Sequence, residues 1–306
     1  MANTSGRSPL RTVFMGTSAF ALPTLRRVAE GTELVGVVTQ PDRPAGRGRK
    51  PTPPPVKVEA ERLGLPVYQP ERVRAKAFLR TLQELSPEVI VIAAYGQLLP
   101  RALLELPPYG CLNVHPSLLP RYRGAAPIQW ALWNGDEETG VTIMQVDEGE
   151  DSGPILLQRR VKIGPDETAA KLHDRLAELG AEMMLEVLRR LKSDPLPPVP
   201  QNDAEATRAP RLTREMGLVD WRLPARALYN RFRACVPWPG TYTFTPDGKR
   251  LRILACRPLE GEKTEGEAPG TVRADRDRLR VATGEGILEV LRSSQRTGRR
   301  FPFGIT

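Results

Sequence analysis

The first 115 residues alternate between short apolar runs and segments of helical periodicity, and this alternation limits the possible folds more than any other feature of the chain. Strands that alternate with helices are typical of a parallel sheet covered by helices. We therefore predict an α/β fold with a Rossmann-like, doubly wound, mostly parallel sheet. The predicted strands are Val13–Met15, Leu34–Thr39, Val89–Ala94 and Cys111–His115, and the predicted helices are Ala19–Ala29, Val56–Leu63 and Ala75–Leu85.

The chain of 306 residues exceeds the usual size of one core, which predicts two domains. A helical pattern from about Glu167 to Leu191 is followed by the proline-rich segment Ser193–Pro200, which we interpret as a semi-rigid spacer. Beyond it, a short helix and several short apolar runs between turn residues predict a small OB-like β-barrel. We predict a catalytic domain over residues 1–192, a linker over 193–210 and a second domain over 211–306.

Several functional classes find no support in the sequence. The three cysteines, Cys111, Cys235 and Cys256, lie far apart without a CxxC, so neither a disulfide framework nor a zinc site is indicated. No secretory leader and no apolar run of about 18 residues is present, so we expect a cytoplasmic protein without a membrane partner. The first turn, Gly16–Phe20, is not a G-x-G-x-x-G, so a dinucleotide site is not supported.

The strongest candidate site lies at the end of the fourth predicted strand. Asn113 and His115 alternate along it, so both side chains point to one face, and Pro116 stops the strand directly afterwards. Asp151 follows 36 positions after His115. An amide and a protonated imidazole are donors that suit an oxygen gaining negative charge, while a carboxylate can orient the imidazole and accept a proton. This combination indicates acyl transfer.

Two alternatives remain open from the residues alone. An Asn-x-His at a strand end is more often a satisfied turn than a catalytic pair, and Asp147 competes with Asp151 for the role of the acid. A covalent acyl-enzyme finds little support, since no Gly-x-Ser-x-Gly elbow or paired cysteine is present. We therefore expect the nucleophile to be an amine of the substrate.

The stretch NVHPSLLPRYRGAAPIQWALWNG, followed by GVTIMQVDEGEDSGPIL, resembles the folate-dependent formyltransferase family. The resemblance implies that 10-formyltetrahydrofolate is the co-substrate, that no metal is needed, and that Asn113, His115 and Asp151 are catalytic. The chain departs from the family pattern at Glu150, where an apolar residue is usual. The effect of Glu150 on Asp151 depends on whether the Glu150 side chain faces solvent. The implied folate-binding residues are Ile92, Ala94, Tyr95, Gly96, Ser117, Leu118, Leu119 and Pro120.

A long basic segment indicates a polyanionic substrate. Between Pro41 and Lys57 the chain carries five cations and one acid among many prolines and glycines, so we predict an extended, irregular, positive loop. Positive charge is also concentrated in the last third: residues 1–210 hold 26 Lys and Arg against 25 Asp and Glu, whereas residues 211–306 hold 19 against 11. A solvated surface insertion is the alternative interpretation of the loop.

The loop TQPDRPAGRG, with the PPPVKVEAERLGLPVYQP that follows, is similar to that of family members acting on initiator methionyl-tRNA. This resemblance implies methionyl-initiator-tRNA as the acceptor. The implied tRNA contacts are Arg43, Arg47, Arg49 and Lys50, followed by Arg121 and Arg123. For Arg121 and Arg123, stacking on Tyr122 or pairing with an acid is an equally good interpretation.

Two other functions share most of these features. A formyltransferase for a small amine, such as a purine precursor or an amino-sugar nucleotide, would use the same three groups but would not need the basic segments. A noncatalytic tRNA-binding protein would not need Asn113, His115 and Asp151. We expect the transferase acting on tRNA, working as a monomer.

Overall fold

The computed structural model describes residues 9–45, 50–259, 266–275, 278–295 and 300–302. The chain forms two compact units whose segments interleave along the sequence. The first unit extends to Gly124 and continues with Gly140–Val161 and His173–Arg208; the second contains Ala125–Thr139, Lys162–Leu172 and the chain from Ala209 onward. The domain boundaries at residues 192 and 210 stay a prediction, which limited proteolysis would test.

The chain from its start through the long helix carries nine strands and six helices within the described residues. In order these are β1 (Arg11–Gly16), α1 (Leu22–Gly31), β2 (Glu33–Val38), β3 (Arg43–Ala45), β4 (Lys50–Thr52), α2 (Pro55–Arg62), β5 (Val67–Tyr68), α3 (Lys76–Leu85), β6 (Val89–Ala93), α4 (Arg101–Leu104), β7 (Cys111–His115), α5 (Pro127–Asn134), β8 (Glu138–Gln145), β9 (Ile155–Lys162) and α6 (Ala169–Arg190). Short 3-10 helices cover Ala19–Ala21, Asp203–Glu205 and Glu215–Gly217.

The large sheet has the strand order β5-β2-β1-β6-β7-β8-β9. Strands β5, β2, β1, β6 and β7 are parallel, and β8 runs antiparallel to β7. β1 lies between β2 and β6, so the chain winds outward in both directions from it. The doubly wound, mostly parallel sheet predicted from the alternation is confirmed. In such sheets ligands bind beyond the carboxyl ends of the strands, where the order reverses.

Helices cover the sheet because its central strand β6 is apolar throughout. Every residue of β6 is buried, as expected for a parallel strand enclosed on both faces. Phe78 and Leu82 of α3 and Leu103 of α4 belong to one core cluster with β1 and β6. Gly180 lets α6 approach β7, since a β-carbon there would lie 2.5 Å from Cγ1 of Val114.

The second unit is built on an antiparallel sheet. After α7 (Ala225–Cys235) come β10 (Thr241–Phe244), β11 (Arg250–Leu259), β12 (Val272–Asp275), β13 (Arg278–Ala282), β14 (Ile287–Gln295) and β15 (Arg300–Pro302). The strand order is β10-β11-β14-β13-β12, with β15 also pairing with β14. Leu228 and Phe232 of α7 pack against Ile253, Val281 and Leu288 of the sheet. A β-rich domain after the parallel sheet, predicted as a small OB-like barrel, is confirmed as a domain built on an antiparallel sheet.

The prediction of a wholly irregular basic loop was wrong. Arg43 pairs with Thr52 and Ala45 with Lys50, so β3 and β4 form a small hairpin. Pro44 faces Pro51. Opposite pairs in an antiparallel ladder alternate between bonded and non-bonded positions, and two facing prolines at a non-bonded pair remove no ladder hydrogen bond. Arg47 and Arg49 lie outside the described residues.

α5, β8 and β9 were also not predicted. β8 carries buried residues from Thr139 to Met144 and extends the sheet beyond β7. Within the described ranges, no helix has the length and apolar character needed to cross a membrane.

Candidate active site

Two of the candidate catalytic residues are held by β7. The strand lies between β6 and β8, with Asn113 opposite Ile92 on one side and Met144 on the other, and His115 opposite Thr142. Asn113 is half-buried and its carboxamide has no hydrogen-bond partner among the described residues. A half-buried amide that is not engaged by the protein is available to a ligand at the strand end.

His115 is buried, with 4% of its surface exposed. Nε2 lies 2.9 Å from the carbonyl oxygen of Tyr122. Because a carbonyl oxygen can only accept, this contact places a hydrogen on Nε2, which donates it to Tyr122. Nδ1 lies 3.5 Å from Oδ2 of Asp151, which is longer than an ordinary N–H···O hydrogen bond. Nδ1 is therefore the ring nitrogen that remains available for a hydrogen bond with a substrate atom.

Asp151 lies in a tight loop between β8 and β9. Its φ is +54°, a left-handed conformation that residues with a β-carbon seldom adopt. The same Oδ2 that faces His115 accepts a hydrogen bond of 2.9 Å from the backbone N–H of Gly124. One carboxylate oxygen therefore connects the imidazole to the segment that follows the proline loop. The structure brings His115 and Asp151 together as the sequence predicted.

Two acids near Asp151 in the chain, Asp147 and Glu150, have other partners. Asp147 accepts hydrogen bonds from the Gly149 N–H and the Ser152 hydroxyl, each at 3.0 Å, so it shapes the loop that carries Asp151. Glu150 pairs with Arg208 at 2.5 Å, and both side chains are more than half exposed. Glu150 thus faces solvent. Of Asp147, Glu150 and Asp151, it is Asp151 that contacts His115.

The loop after β7 is fastened from β8 and β9. Oγ1 of Thr142 donates to the Ser117 carbonyl at 2.7 Å and accepts from the Leu119 N–H at 3.2 Å. The Gln158 amide donates to Thr142 Oγ1 and to the Leu119 carbonyl. The Leu119–Pro120 peptide bond is cis. The hydrogen bonds of Thr142 and Gln158 hold the loop as a rigid wall beside His115, as a preorganised site requires.

Residues predicted to bind folate differ in how they could do so. Ser117 is fully buried and its hydroxyl donates to the Arg121 carbonyl, and Leu119 is buried, so both build the wall. Leu118 and Pro120 are partly exposed. Their positions leave those two side chains able to contact a ligand.

The residues at the end of β6 and in the loop after it also divide into buried supports and accessible positions. Ile92 and Tyr95 are buried in the core cluster, and the Tyr95 hydroxyl has no partner in the described structure. The Tyr95 carbonyl accepts from Thr17 at 2.8 Å and from Gln40 at 3.3 Å. Ala94 and Gly96 are exposed and have φ values of +46° and +88°. The backbone at these two positions is the accessible part of the loop.

The predicted tRNA contacts have distinct surroundings. Arg43 and Lys50 are exposed on the hairpin, and Arg43 pairs with Glu71 at 3.2 Å. Arg121 is exposed and lies over the Tyr122 ring, 5.1 Å from its centroid. Arg123 is largely enclosed, with 11% of its side chain exposed, and binds Gln201 and Asp203. The Arg123 guanidinium is therefore occupied by protein partners, and its contact with tRNA stays a prediction.

Sequence reasoning missed the groups that hold the site together. They are the Tyr122 carbonyl, the Gly124 N–H, Thr142, Gln158 and Gln201. Two of them are backbone atoms, which no residue pattern reveals. Within the described ranges no group of three or more His, Cys, Asp and Glu side chains is arranged to hold a metal ion.

Comparison with known proteins agrees with this site. The family model described as Formyl transferase matches residues 11–188, and the model described as Formyl transferase, C-terminal domain, matches residues 211–302. The chain is 48% identical over 296 residues to the methionyl-tRNA formyltransferase of Citrifermentans bemidjiense, covering 96% of this chain and 92% of that protein. It is 50% identical over 293 residues to the same enzyme of Caldanaerobacter subterraneus subsp. tengcongensis, covering 95% and 94%.

A solved structure shares the fold. The N-formyltransferase from Helicobacter canadensis, in complex with folinic acid and dTDP-3-aminofucose, superposes with a TM-score of 0.68 at 15% identity, covering 95% of this chain and all of that one. Fold and site together define a group-transfer enzyme. The chain belongs to the formyl transferase family.

Proposed function

We propose that this enzyme transfers the formyl group of 10-formyltetrahydrofolate to the α-amino group of methionine esterified to initiator tRNA. The observation that carries the proposal is the end of β7, where the unpartnered Asn113 carboxamide lies on the same face as His115 and the Asp151 carboxylate faces the His115 ring. The acceptor is supported by full-length relatives, about half identical in sequence, that are methionyl-tRNA formyltransferases.

In the proposed reaction the amine nitrogen attacks the formyl carbon and forms the new C–N bond. Negative charge then develops on the formyl oxygen, where Asn113 donates from its NH2 and the His115 ring, in its imidazolium form, donates from Nδ1, since Nε2 is held by the Tyr122 carbonyl. Asp151, which faces Nδ1 of the imidazole, accepts a proton from the ammonium group of the acceptor and so frees its lone pair for the attack. Collapse of the tetrahedral intermediate breaks the bond to N10 of the folate; the proton lost by the newly formylated nitrogen passes to N10, which leaves as an amine.

The donor would bind along the carboxyl ends of β6 and β7. The exposed backbone at Ala94 and Gly96 suits the edge of a flat pterin, which presents hydrogen-bond donors and acceptors. Leu118 and Pro120 would contact it from the rigid wall, while Ile92, Tyr95, Ser117 and Leu119 support these surfaces from the interior.

The acceptor end of the tRNA would be held by Arg43, Lys50 and Arg121, which are exposed cations. Arg47 and Arg49 belong to the same proposal on sequence grounds. Arg123 is proposed as a support rather than a phosphate contact, because its guanidinium is enclosed by Gln201 and Asp203. The excess of 19 basic over 11 acidic residues after residue 210 would steer the polyanion.

The direct test incubates the pure protein with methionyl-tRNA and 10-formyltetrahydrofolate and analyses the released amino acid by mass. We expect formylmethionine from the wild type and none from Asn113→Ala within the same time. Formylation of amino-sugar nucleotides or purine precursors, with methionyl-tRNA unreacted, would contradict the proposed acceptor. Unchanged melting with saturating folate would contradict the proposed donor, since selective binding stabilises the folded state.

We also propose that the enzyme works in the cytoplasm as a monomer. Light scattering at micromolar concentration measures the second point directly. A mass of twice 33.9 kDa would contradict it.

A further inference from the structure

A segment outside the predicted catalytic domain contacts both loops of the active site. It runs from Gln201 to Thr207, after the proline-rich stretch that follows α6. Val199, just before it, pairs with Ile155 of β9 through two backbone hydrogen bonds of 2.8 Å. The segment is thereby fixed against the sheet beside the loop that carries Asp151.

Gln201 makes four hydrogen bonds. Its Nε2 donates to the carbonyl of Asp151 at 2.8 Å and to the carbonyl of Gly153 at 2.7 Å. Its Oε1 accepts from Nε and Nη2 of Arg123 at 3.0 and 2.8 Å. Two carbonyls require the NH2 end and a guanidinium requires the oxygen end, so the orientation of this amide is settled by its neighbours.

The backbone that Gln201 holds is in an unfavourable conformation. Asp151 has a φ of +54°, which places its β-carbon close to its own backbone. Such conformations persist where surrounding contacts impose them. Gln201 supplies two such contacts through its hydrogen bonds to the carbonyls of Asp151 and Gly153.

The same segment also holds the loop that faces Asp151. The Tyr122 N–H donates to Thr207 Oγ1 at 2.8 Å, and the Arg123 N–H donates to the Thr207 carbonyl at 2.9 Å. The Tyr122 carbonyl receives His115 Nε2, and the Gly124 N–H binds Asp151 Oδ2. Both partners of the His115–Asp151 contact are therefore attached to this segment.

We infer that Gln201 is a positioning residue for formyl transfer: it fixes Asp151 in the conformation that lets its carboxylate face Nδ1 of His115. This inference rests on the proposed function and adds a residue to it. Loss of the amide bonds would let the Asp151 backbone relax, and displacement of a catalytic group by about 1 Å can lower turnover about 10²-fold.

The test compares Gln201→Met, which keeps the length and volume of the side chain, with Asp203→Ala. Asp203 belongs to the same segment and binds Arg123, but its side chain is 84% exposed and touches neither Asp151 nor Gly153. We expect kcat for methionyl-tRNA to fall about 10- to 100-fold in Gln201→Met with KM for both substrates nearly unchanged. Asp203→Ala should stay within about twofold of wild type.

A double-mutant cycle with Asp151→Asn separates positioning from general damage. A residue that acts through the Asp151 carboxylate should have little further effect once that group is gone, so Gln201→Met should change the single-turnover rate of Asp151→Asn by less than about twofold. Equal losses in the two backgrounds would overturn the inference. So would a loss confined to KM for tRNA.

A second measurement does not depend on turnover. The chain has two histidines, His115 and His173, so the ring resonances of His115 are assigned by comparison with His173→Gln. We expect them to shift in Gln201→Met and to stay in place in Asp203→Ala, at unchanged fold by circular dichroism. Unmoved His115 resonances in a folded Gln201→Met protein would overturn the inference even if the wild type formylated another amine or none.

Discussion

Oδ2 of Asp151 lies 3.5 Å from Nδ1 of His115 while accepting a hydrogen bond of 2.9 Å from the Gly124 N–H. This oxygen is held by a backbone donor, so the carboxylate does not depend on the imidazole for its position. The imidazole in turn is anchored through Nε2 on the Tyr122 carbonyl. Acid and ring are thus oriented separately and meet across a gap that a substrate proton or a small rotation can bridge.

The first prediction concerns the charge of Asp151. Asp151→Asn keeps an oxygen for the Gly124 N–H but removes the group that accepts a proton from the attacking ammonium. We expect the single-turnover rate of formylation to fall about 10²- to 10⁴-fold, with the affinity for tRNA close to that of the wild type. A rate within threefold of the wild type would exclude Asp151 as the proton acceptor.

The second prediction distinguishes donation by Asn113 from mere shape. Asn113→Ala removes the NH2 donor, and loss of one such donor lowers kcat about 10²- to 10³-fold. Asn113→Asp resembles the native side chain more closely, yet it places a carboxylate where negative charge develops, so we expect it to be slower than Asn113→Ala. Single-turnover rates at neutral pH give the order, and a faster Asn113→Asp would contradict the donor role.

Sequence patterns predicted β7 with its observed bounds because an apolar run ends at a proline, and both signals are local. They missed α5, an eight-residue helix that is apolar on most sides, since a short apolar run does not distinguish helix from strand. They also missed β9, whose exposed arginines interrupt the alternation expected of a strand.

Within the site, too, local patterns identified some residues and missed others. Asn113, His115 and Asp151 follow from residue chemistry and from the family resemblance. Gln201 was missed, since it lies in a segment that the sequence predicts to be a linker. Its hydrogen bonds go to carbonyls 48 and 50 positions away, which no local pattern shows. For Arg123 the sequence left open a phosphate contact or pairing with an acid, and it could not name the acid, because Asp203 lies 80 positions along the chain. Contacts of this range are set by the fold rather than by spacing.

The third prediction concerns Gly153, beside Asp151. A β-carbon at this position would lie 2.0 Å from the Gln145 carbonyl oxygen, a backbone atom that cannot turn aside. Gly153→Ala should therefore displace the loop, lower the unfolding free energy by about 1–3 kcal/mol and reduce turnover. Gly149→Ala is the matched control, because its β-carbon would meet the movable Ser152 hydroxyl. Thermal melting and kcat should change clearly more in Gly153→Ala.

The fourth prediction concerns acid stability. Hydrogen bonds from Arg62 and then Arg26 lower the pKa of the buried Glu59 carboxyl from 4.5 to about 2. Because the folded protein binds this proton less readily than the unfolded chain, the stabilisation is present above pH 4.5 and is lost as the pH falls toward 2. We expect Glu59→Gln to melt at a lower temperature than the wild type at pH 7, with the difference shrinking at pH 3. Glu30→Gln, which removes a mostly exposed acid, should show little difference at either pH.

The fifth prediction concerns the hairpin and its neighbour Glu71. Arg43 and Lys50 are exposed cations, and each phosphate contact contributes about one unit to the slope of log affinity against log salt concentration. We expect Arg43→Ala and Lys50→Ala each to weaken tRNA binding and to flatten that slope by about one. Glu71→Gln should act in the opposite direction, because it releases Arg43 from a 3.2 Å ion pair and removes a negative charge near the RNA. Arg101→Ala, which removes an exposed arginine paired with Glu105, is the control for net charge alone. Filter binding at several salt concentrations would exclude the hairpin as a tRNA contact if Arg43→Ala and Arg101→Ala gave the same affinity and slope.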